Sequence, residues 1–413
     1  MVVVSARRIG LALAVAGGAC LMAAAVPAVA AAPAGAPAVG GVPAGAQYVA
    51  LGDSYSAGYG IAPSTGQPIP ACAQSAQDYP HQVAAALGLS LTDVTCSGAE
   101  TVNIDQTPQT EFPDNGTGSA PLQDTALSAS TQIVTVTIGG NDLGFSSIAQ
   151  QCFALSANGP VVGPPTAPSP FQSPNCQSFL ATSTQTQLTT VVAPALTRVL
   201  ADIKGKAPNA KVFVIEYPAL APTAANTPAG GCFRAALGPS GIQPPYPTDS
   251  YPFTNTDVPF LQQLEADLDA TVDSAAQAAG ATLVPAFAAS DTHSPCAATA
   301  DQWINGITLS KVVLSPPSVQ TVPGALHPNP AGVSFLTSGV QSAIEAAFPV
   351  TSPSPTPTAT GTTATTSAAE PQLAATGAAH TLPLLWTAAG LLVTGAGVSL
   401  AGRRHRRAGR HTA

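Results

Sequence analysis

Short runs of β-branched and apolar residues alternate with helical periodicity throughout the middle of this chain. The runs predict five strands: Tyr48–Leu51, Leu91–Thr95, Ile133–Ile138, Val212–Glu216 and Thr282–Val284. The periodic stretches predict helices: Tyr79–Leu87, Thr184–Lys204, Pro259–Ala279 and Pro330–Ala347. Such a succession is typical of a mostly parallel sheet with helices on both faces. In open sheets of this kind, sites form beyond the carboxyl ends of the strands.

The first 30 residues have the three parts of a secretory signal peptide. Arg7 and Arg8 precede the apolar run Ile9–Val26, which ends in the small residues Ala28-Val29-Ala30. A short membrane anchor is the alternative, but the small-residue exit favours cleavage and export. We expect an Ala/Pro/Gly-rich lead-in over residues 31–45 and a folded domain over residues 46–350.

The chain ends in a different pattern. Residues 351–372 contain eight Thr, three Ser and four Pro, a composition that forms an extended stalk rather than a core. An uncharged apolar run follows over residues 382–402, long enough to span a bilayer. Arginines follow this run directly: Arg403, Arg404, Arg406, Arg407 and Arg410. A basic tail predicts a cytoplasmic C-terminus, with the preceding domain outside.

Charge and cysteine usage exclude several functions. All 21 acidic residues lie between positions 31 and 377, against six basic ones, and such a surface repels nucleic acid. Six cysteines remain once Cys20 leaves with the signal peptide, which predicts three disulfides in an oxidising compartment. Because no C-x-x-C or clustered Cys/His spacing occurs, we expect no metal. We also treat His81 and His293 as structural.

Three short motifs stand where the sheet would place a site. Gly52–Gly58 (GDSYSAG) follows the first predicted strand and presents Ser54 at a strand-to-helix turn. Gly139–Asp142 (GGND) follows the third strand, and the amide of Asn141 can donate to an oxyanion. Leu326–Gly332 (LHPNPAG) precedes the last helix and carries His327, a candidate general base. Each motif alone also fits an ordinary turn.

Together, in this order, the motifs resemble the SGNH (GDSL-type) hydrolase family over about residues 46–349. Gly98, after the second strand, matches the remaining family mark. The resemblance implies a three-layer α/β/α (flavodoxin-like) fold, Ser54 as nucleophile and His327 as base. It also implies an oxyanion hole from Ser54 N–H, Gly98 N–H and the Asn141 side chain. The pattern looks most like the secreted lipase/esterase branch of high-GC Gram-positive bacteria.

The family's pairing of neighbouring cysteines adds a disulfide scheme. Six cysteines permit fifteen connectivities, and the sequence alone does not choose among them. The resemblance implies three local pairs: Cys72–Cys96, Cys152–Cys176 and Cys232–Cys296.

One position departs from the family. Most members carry Asp three residues before the histidine, and here that residue is Gly324. We therefore expect a Ser54–His327 dyad in which a main-chain carbonyl, that of Gly324, orients the imidazole. Asp142, Asp291 and Asp301 are the acids that would otherwise complete a triad.

The C-terminal pattern also resembles a known signal. Residues Leu373-Ala374-Ala375-Thr376-Gly377 are similar to a sortase sorting signal of the L-A-x-T-G type, with its apolar span and basic tail after it. This resemblance implies sortase as a partner and attachment to peptidoglycan. A membrane-anchored ectodomain is the alternative.

The sequence therefore predicts a monomeric cell-surface esterase or lipase that acts on a small-molecule or lipid ester through an acyl-enzyme on Ser54, without a cofactor. A carbohydrate O-deacetylase is the nearest alternative. A non-catalytic surface binding or adhesion module is the alternative outside enzymes, because fold alone does not establish activity.

Overall fold

The computed structural model describes residues 41–167, 169–314 and 317–349. The predicted signal peptide, stalk, sorting signal, apolar span and basic tail lie outside these residues, as does most of the lead-in. Within the part of the chain that the structure describes, no helix is long and apolar enough to cross a membrane.

Five parallel strands form the central sheet, in the order β2-β1-β3-β4-β5. Their bounds are β1 Gln47–Gly52, β2 Ser90–Asp93, β3 Ile133–Thr137, β4 Lys211–Ile215 and β5 Thr282–Val284. The chain leaves β1 toward one edge to form β2 and then returns to the other side of β1 to form β3. The strand order therefore reverses between β1 and β3, and a crevice opens at their carboxyl ends.

Helices cover both faces of this sheet, giving a three-layer α/β/α fold. Their bounds are α1 Ser54–Ala57, α2 Tyr79–Leu87, α3 Thr101–Asp105, α4 Phe145–Gln151, α5 Gln177–Gln187, α6 Ala193–Lys206, α7 Asp257–Ala279, α8 Phe287–Ser290 and α9 Pro330–Ala347. The alternation of side chains along β1 divides the core. Tyr48 and Ala50 face the layer of α2 and α9, whereas Val49 and Leu51 face the layer of α3, α6 and α7.

The helix predicted over Thr184–Lys204 is longer and less regular than expected. A π-helical segment, Leu188–Val192, joins α5 to α6, and the N–H of Ala193 donates to the carbonyl of Leu188. Pro194 follows at the start of α6 and has no N–H to give. The wider turn accommodates this proline without breaking the helical path.

An antiparallel hairpin, β6 (Leu309–Leu314) and β7 (Pro317–Thr321), was not predicted from the sequence. It lies apart from the central sheet and precedes the loop that carries His327. Residues of both its strands line the cleft described below.

Three disulfides join cysteines within the described residues: Cys72–Cys96, Cys152–Cys176 and Cys232–Cys296. These are the local pairs that the family resemblance implies. Closing loops of this size typically stabilises a fold by roughly 2–4 kcal/mol each. Cys96 lies two residues before Gly98, so the first disulfide holds the loop after β2 in place.

Candidate active site

Ser54 is the first residue of α1, directly after β1. Asp53 caps this short helix, with its carboxylate accepting from Tyr55 N–H at 3.0 Å, and the helix ends at Gly58 in the left-handed region. The tight strand-to-helix turn lifts the Ser54 side chain into the crevice at the edge of the sheet. The Ser54 N–H lies in the first helical turn, where amides have no intrahelical acceptor.

His327 meets Ser54 from the loop before α9. Its Nε2 lies 2.7 Å from Ser54 Oγ, although 273 residues separate the two in sequence. Asn329 then caps α9 by accepting from the N–H groups of Ala331 and Gly332. The positive φ of Leu326, 57°, turns the backbone so that His327 points back toward the turn that carries Ser54.

The carbonyl that orients the imidazole belongs to Ala325, so the expectation of Gly324 was wrong. His327 Nδ1 lies 2.8 Å from Ala325 O. The Gly324 carbonyl is already engaged, because it accepts from His327 N–H at 3.1 Å and from Asn305 Nδ2 at 3.0 Å. These bonds close the loop as a turn and leave the next carbonyl to face the ring.

Burial sets the charge of these groups. Desolvation lowers the pKa of His327 to about 4, opposed by the hydrogen bond to Ala325 O, so the imidazole is neutral at pH 7. Burial raises the pKa of Asp53 to about 7, although Tyr217 and Tyr55 N–H donate to its carboxylate. A neutral imidazole within hydrogen-bond reach of a hydroxyl can accept its proton.

Two further hydrogen-bond donors, Gly98 N–H and the Asn141 amide, belong to residues that line the same cleft as Ser54. Gly98 lies in the left-handed region with φ of 83°, and its N–H has no acceptor among the described residues. Asn141 donates one amide hydrogen to Ala99 O at 2.9 Å, which fixes the amide and leaves its second hydrogen free. Ser54, Gly98 and Asn141 all line one cleft. Three N–H donors in this arrangement can stabilise a negative oxygen.

None of the three acids considered for a triad contacts His327. The carboxylate of Asp142 accepts from Thr101 N–H at 3.0 Å and Thr101 Oγ1 at 2.6 Å, tying the GGND loop to α3. Asp291 accepts from Thr223 and Asn226. Asp301 is exposed, and its backbone carbonyl, not its side chain, contacts His293.

Three tyrosines hold the site together and were missed at the level of sequence. Tyr55 donates to Leu326 O at 2.7 Å, and the centroid of its ring lies 4.9 Å from the centroid of the His327 imidazole. Tyr59 packs edge-on against the same imidazole, with 5.0 Å between the two ring centroids. Tyr217 donates to Asp53 Oδ2 at 2.5 Å and accepts from Gly140 N–H at 2.9 Å. The available signal was position, because Tyr55 and Tyr59 closely follow Ser54 in sequence and Tyr217 follows β4.

The cleft around Ser54 has a volume of about 770 Å³. Much of its wall is apolar, and the residues come from helices, the hairpin and several loops: Phe145 of α4, Leu268 of α7, Val319 of β7, and the loop residues Phe153, Leu220, Ile307 and Leu326. The hydroxyl and imidazole stand at this apolar wall. This combination fits a substrate with one reactive polar group and an apolar part.

A serine paired with a neutral histidine at the switch point of an α/β/α sheet is an arrangement typical of serine hydrolases. The chain belongs to the GDSL-like Lipase/Acylhydrolase family, whose profile matches residues 50–334, and it is a carboxylic-ester hydrolase.

Curated relatives and solved structures agree with this family. The chain is 32% identical to Lipase 2 of Streptomyces coelicolor over 285 residues, covering 69% of this chain and 81% of the relative. It is 31% identical to an esterase of Streptomyces scabiei over 318 residues, covering 72% and 85% of the two chains. The crystal structure of an extracellular lipase from Streptomyces rimosus shares the fold, with a TM-score of 0.51 and 22% identity over 72% of this chain and 99% of that one.

Proposed function

We propose that this protein is an exported ester hydrolase in which Ser54 is the nucleophile and His327 the general base. The observation that carries the proposal is the contact of 2.7 Å between Ser54 Oγ and His327 Nε2, with the imidazole held from behind by Ala325 O. As Ser54 attacks the ester carbonyl, Nε2 takes the hydroxyl proton and then delivers it to the leaving alkoxide. Water repeats the sequence on the acyl-enzyme, with the same nitrogen as base.

The negative oxygen of each tetrahedral intermediate is bound by Ser54 N–H, Gly98 N–H and Asn141 Nδ2. Removing one such donor typically lowers turnover by ~10²–10³. Asn141→Ala is expected to lower kcat in this range with a small change in KM. Gln150→Ala is the matched control, because Gln150 is an amide that lines the same cleft without a hydrogen bond from its side chain to another described residue.

Covalent labelling tests the nucleophile. A fluorophosphonate probe is expected to label the wild-type chain, and Ser54→Ala is expected to abolish both labelling and ester hydrolysis. Ser146→Ala is the control, since Ser146 is an exposed serine of the same cleft. Labelling that persists in Ser54→Ala would place the nucleophile elsewhere. A wild-type chain that neither reacts nor hydrolyses esters would favour the non-catalytic binding module.

The substrate is proposed to be an ester with an apolar acyl chain, as the names of the lipase and esterase relatives suggest. The apolar wall beside Ser54 supports this, because burying acyl methylenes there contributes about 0.8 kcal/mol each. A series of p-nitrophenyl esters from acetyl to palmitoyl is expected to show kcat/KM rising beyond the acetyl ester. A preference for acetylated xylo-oligosaccharides over every member of the series would favour a carbohydrate O-deacetylase.

Display on the cell wall is the last part of the proposal. Three disulfides support an oxidising destination, and the sorting signal at 373–377 supports attachment to peptidoglycan after cleavage between Thr376 and Gly377. The protein is then expected to resist detergent and to be released by digestion of the wall. Release of a chain that retains its C-terminus by detergent alone would favour a membrane anchor.

A further inference from the structure

Asp78, His81 and Asp93 form a cluster that lines no part of the active-site cleft. Asp78 caps α2, His81 stands in the first turn of that helix, and Asp93 ends β2, the edge strand of the sheet. Each residue offers one possible metal-ligand atom, and these three atoms all lie within 4.8 Å of one another. The cluster therefore joins a helix start to a sheet edge through two carboxylates and one imidazole.

In each carboxylate, one oxygen accepts hydrogen bonds from the described residues and the other accepts none. Oδ1 of Asp93 accepts from Thr95 N–H at 3.0 Å, Thr95 Oγ1 at 2.7 Å and Gln74 Nε2 at 2.9 Å. Oδ1 of Asp78 accepts from His81 N–H at 2.9 Å and lies 2.7 Å from His81 Nδ1. The Oδ2 atoms of both aspartates are buried and have no hydrogen-bond partner among the described residues.

Two buried carboxylate oxygens without donors are stabilised by a positive charge nearby. The side chains of Asp78 and Asp93 are 0% and 4% exposed, and His81 provides their ion-pair contacts within the described residues. Its Nδ1 lies 3.4 Å from Asp93 Oδ2, and a single N–H directed at Asp78 cannot also serve that atom. A cation that accepts several ligands at once satisfies both oxygens.

We propose that Asp78 Oδ2, Asp93 Oδ2 and His81 Nδ1 bind a divalent transition-metal ion of the Zn²⁺ class. Carboxylate oxygen and imidazole nitrogen are both ligands of zinc, and three protein ligands leave a position for water. The bonds to Thr95 and Gln74 orient Asp93 from behind, as the outer shell of a metal site does. His81 is 33% exposed, which gives the ion a path from solvent.

Binding would displace the proton on His81 Nδ1 and attach α2 to the edge strand. The role expected of the ion is therefore structural: it binds the folded chain and stabilises it, whereas the Ser54 site stays unchanged. This inference does not rest on the proposed ester hydrolysis.

Equilibrium dialysis with Zn²⁺ tests the site on the full chain after chelator treatment. We expect about one Zn²⁺ per chain, and at least a tenfold loss of affinity in both His81→Gln and Asp93→Asn. His293→Gln is the matched control, because this histidine is also partly exposed but lies outside the cluster. Hydrolysis of a soluble ester by each variant, together with its circular dichroism spectrum, checks that it is folded.

A second measurement needs no variant. Zn²⁺ is expected to raise the Tm of the wild-type chain and EDTA to reverse the rise, and Co²⁺ is expected to give visible absorption bands that Zn²⁺ abolishes. Equal Zn²⁺ affinity of wild type and His81→Gln would overturn the proposal by placing the ion elsewhere. A wild-type chain that binds no Zn²⁺ and keeps its Tm would also overturn the proposal, and would leave His81 as an ion-pair partner of Asp78.

Discussion

The Nδ1 atom of His327 lies 2.8 Å from the carbonyl oxygen of Ala325, two residues earlier in the same loop. A backbone carbonyl accepts one N–H and thereby selects the tautomer with Nε2 free to act as base. Unlike the aspartate of a triad, it carries no full charge to stabilise the imidazolium that forms during catalysis. In the proposed mechanism Ser54 and His327 therefore act as a dyad, and the group that orients the imidazole is part of the main chain.

The dyad predicts weak effects at the nearby acids. Asp291→Asn and Asp301→Asn are each expected to lower kcat less than tenfold, which corresponds to ~1.4 kcal/mol of transition-state stabilisation. The reason is that neither carboxylate contacts His327 in the described structure. Steady-state kinetics on a soluble ester measures the effect. A fall near 10⁴ in either variant would identify a true third member of a triad.

The pH profile is the second prediction. Burial lowers the pKa of His327 to about 4, so the imidazole stays neutral from neutral pH down to about that value. The acid limb of kcat/KM that belongs to the base is expected near pH 4, well below the ordinary histidine value of about 6.5.

The control for that profile is Asp53, whose carboxyl lies beside the site with a pKa raised by burial to about 7. Ionisation of the Asp53 carboxyl can add a second limb to the profile of kcat/KM against pH, near neutral pH. Asp53→Asn removes this titration and is expected to leave the limb near pH 4 in place. An acid limb near 6.5 that survives in Asp53→Asn would contradict the lowered pKa of His327.

The parts of the fold that follow from local pattern were predictable. Helices α2 and α9 begin and end as predicted because each has a strong cap, Asp78 at the first and Asn329 at the second. The strands were found to within two residues. The clearest are β1, β3 and β4, because they are almost fully buried and consist mainly of apolar and β-branched residues. The hairpin β6–β7 was missed because it lies outside the central sheet and its strands carry mixed polar residues.

The site, too, has features that sequence motifs predict and features that only the fold creates. Ser54, Gly98, Asn141 and His327 stand in recognisable motifs at strand or helix ends, and the structure brings them to one cleft. The imidazole is oriented by the Ala325 carbonyl because the Gly324 carbonyl already accepts a hydrogen bond from Asn305. Such a contact joins residues 19 apart through a fold. Sequence spacing does not encode it.

Tyr217 provides the third prediction, because its hydroxyl connects the two halves of the site. It donates to Asp53 in the turn that carries Ser54 and accepts from Gly140 N–H in the GGND loop. Tyr217→Phe leaves both buried groups without this partner and is expected to lower the free energy of unfolding by about 1–3 kcal/mol. We also expect kcat to fall more than KM rises, since the proposed oxyanion donors lose their alignment with Ser54.

Chemical denaturation and steady-state kinetics check both parts of that prediction. Tyr246→Phe is the matched control, because its hydroxyl donates to Ile242 O on a partly exposed loop away from the site. Unchanged stability and kcat in Tyr217→Phe would show that the bridge contributes nothing.

The last prediction concerns Gly60 and Gly324, where the loop that carries His327 packs against the segment that follows Ser54. Gly60, six residues after Ser54, has φ of 90°, and a Cβ there would lie 2.4 Å from Gly324 Cα. Gly324 itself has φ of 89°, with Gly60 Cα 3.3 Å from where its own Cβ would stand. This close approach of two backbones explains why the position three residues before His327 carries glycine and not aspartate.

Gly60→Ala is therefore expected to destabilise the protein and to reduce kcat, because the loop that carries His327 must move to admit the methyl group. Gly66→Ala separates the two causes, since Gly66 also has positive φ, 72°, but its Cβ would meet nothing within 4 Å. For Gly66→Ala we expect only the cost of the left-handed conformation, about 1–2 kcal/mol, and unchanged kcat. Equal denaturation midpoints and equal kcat for the two variants would show that the contact between Gly60 and Gly324 does not position His327.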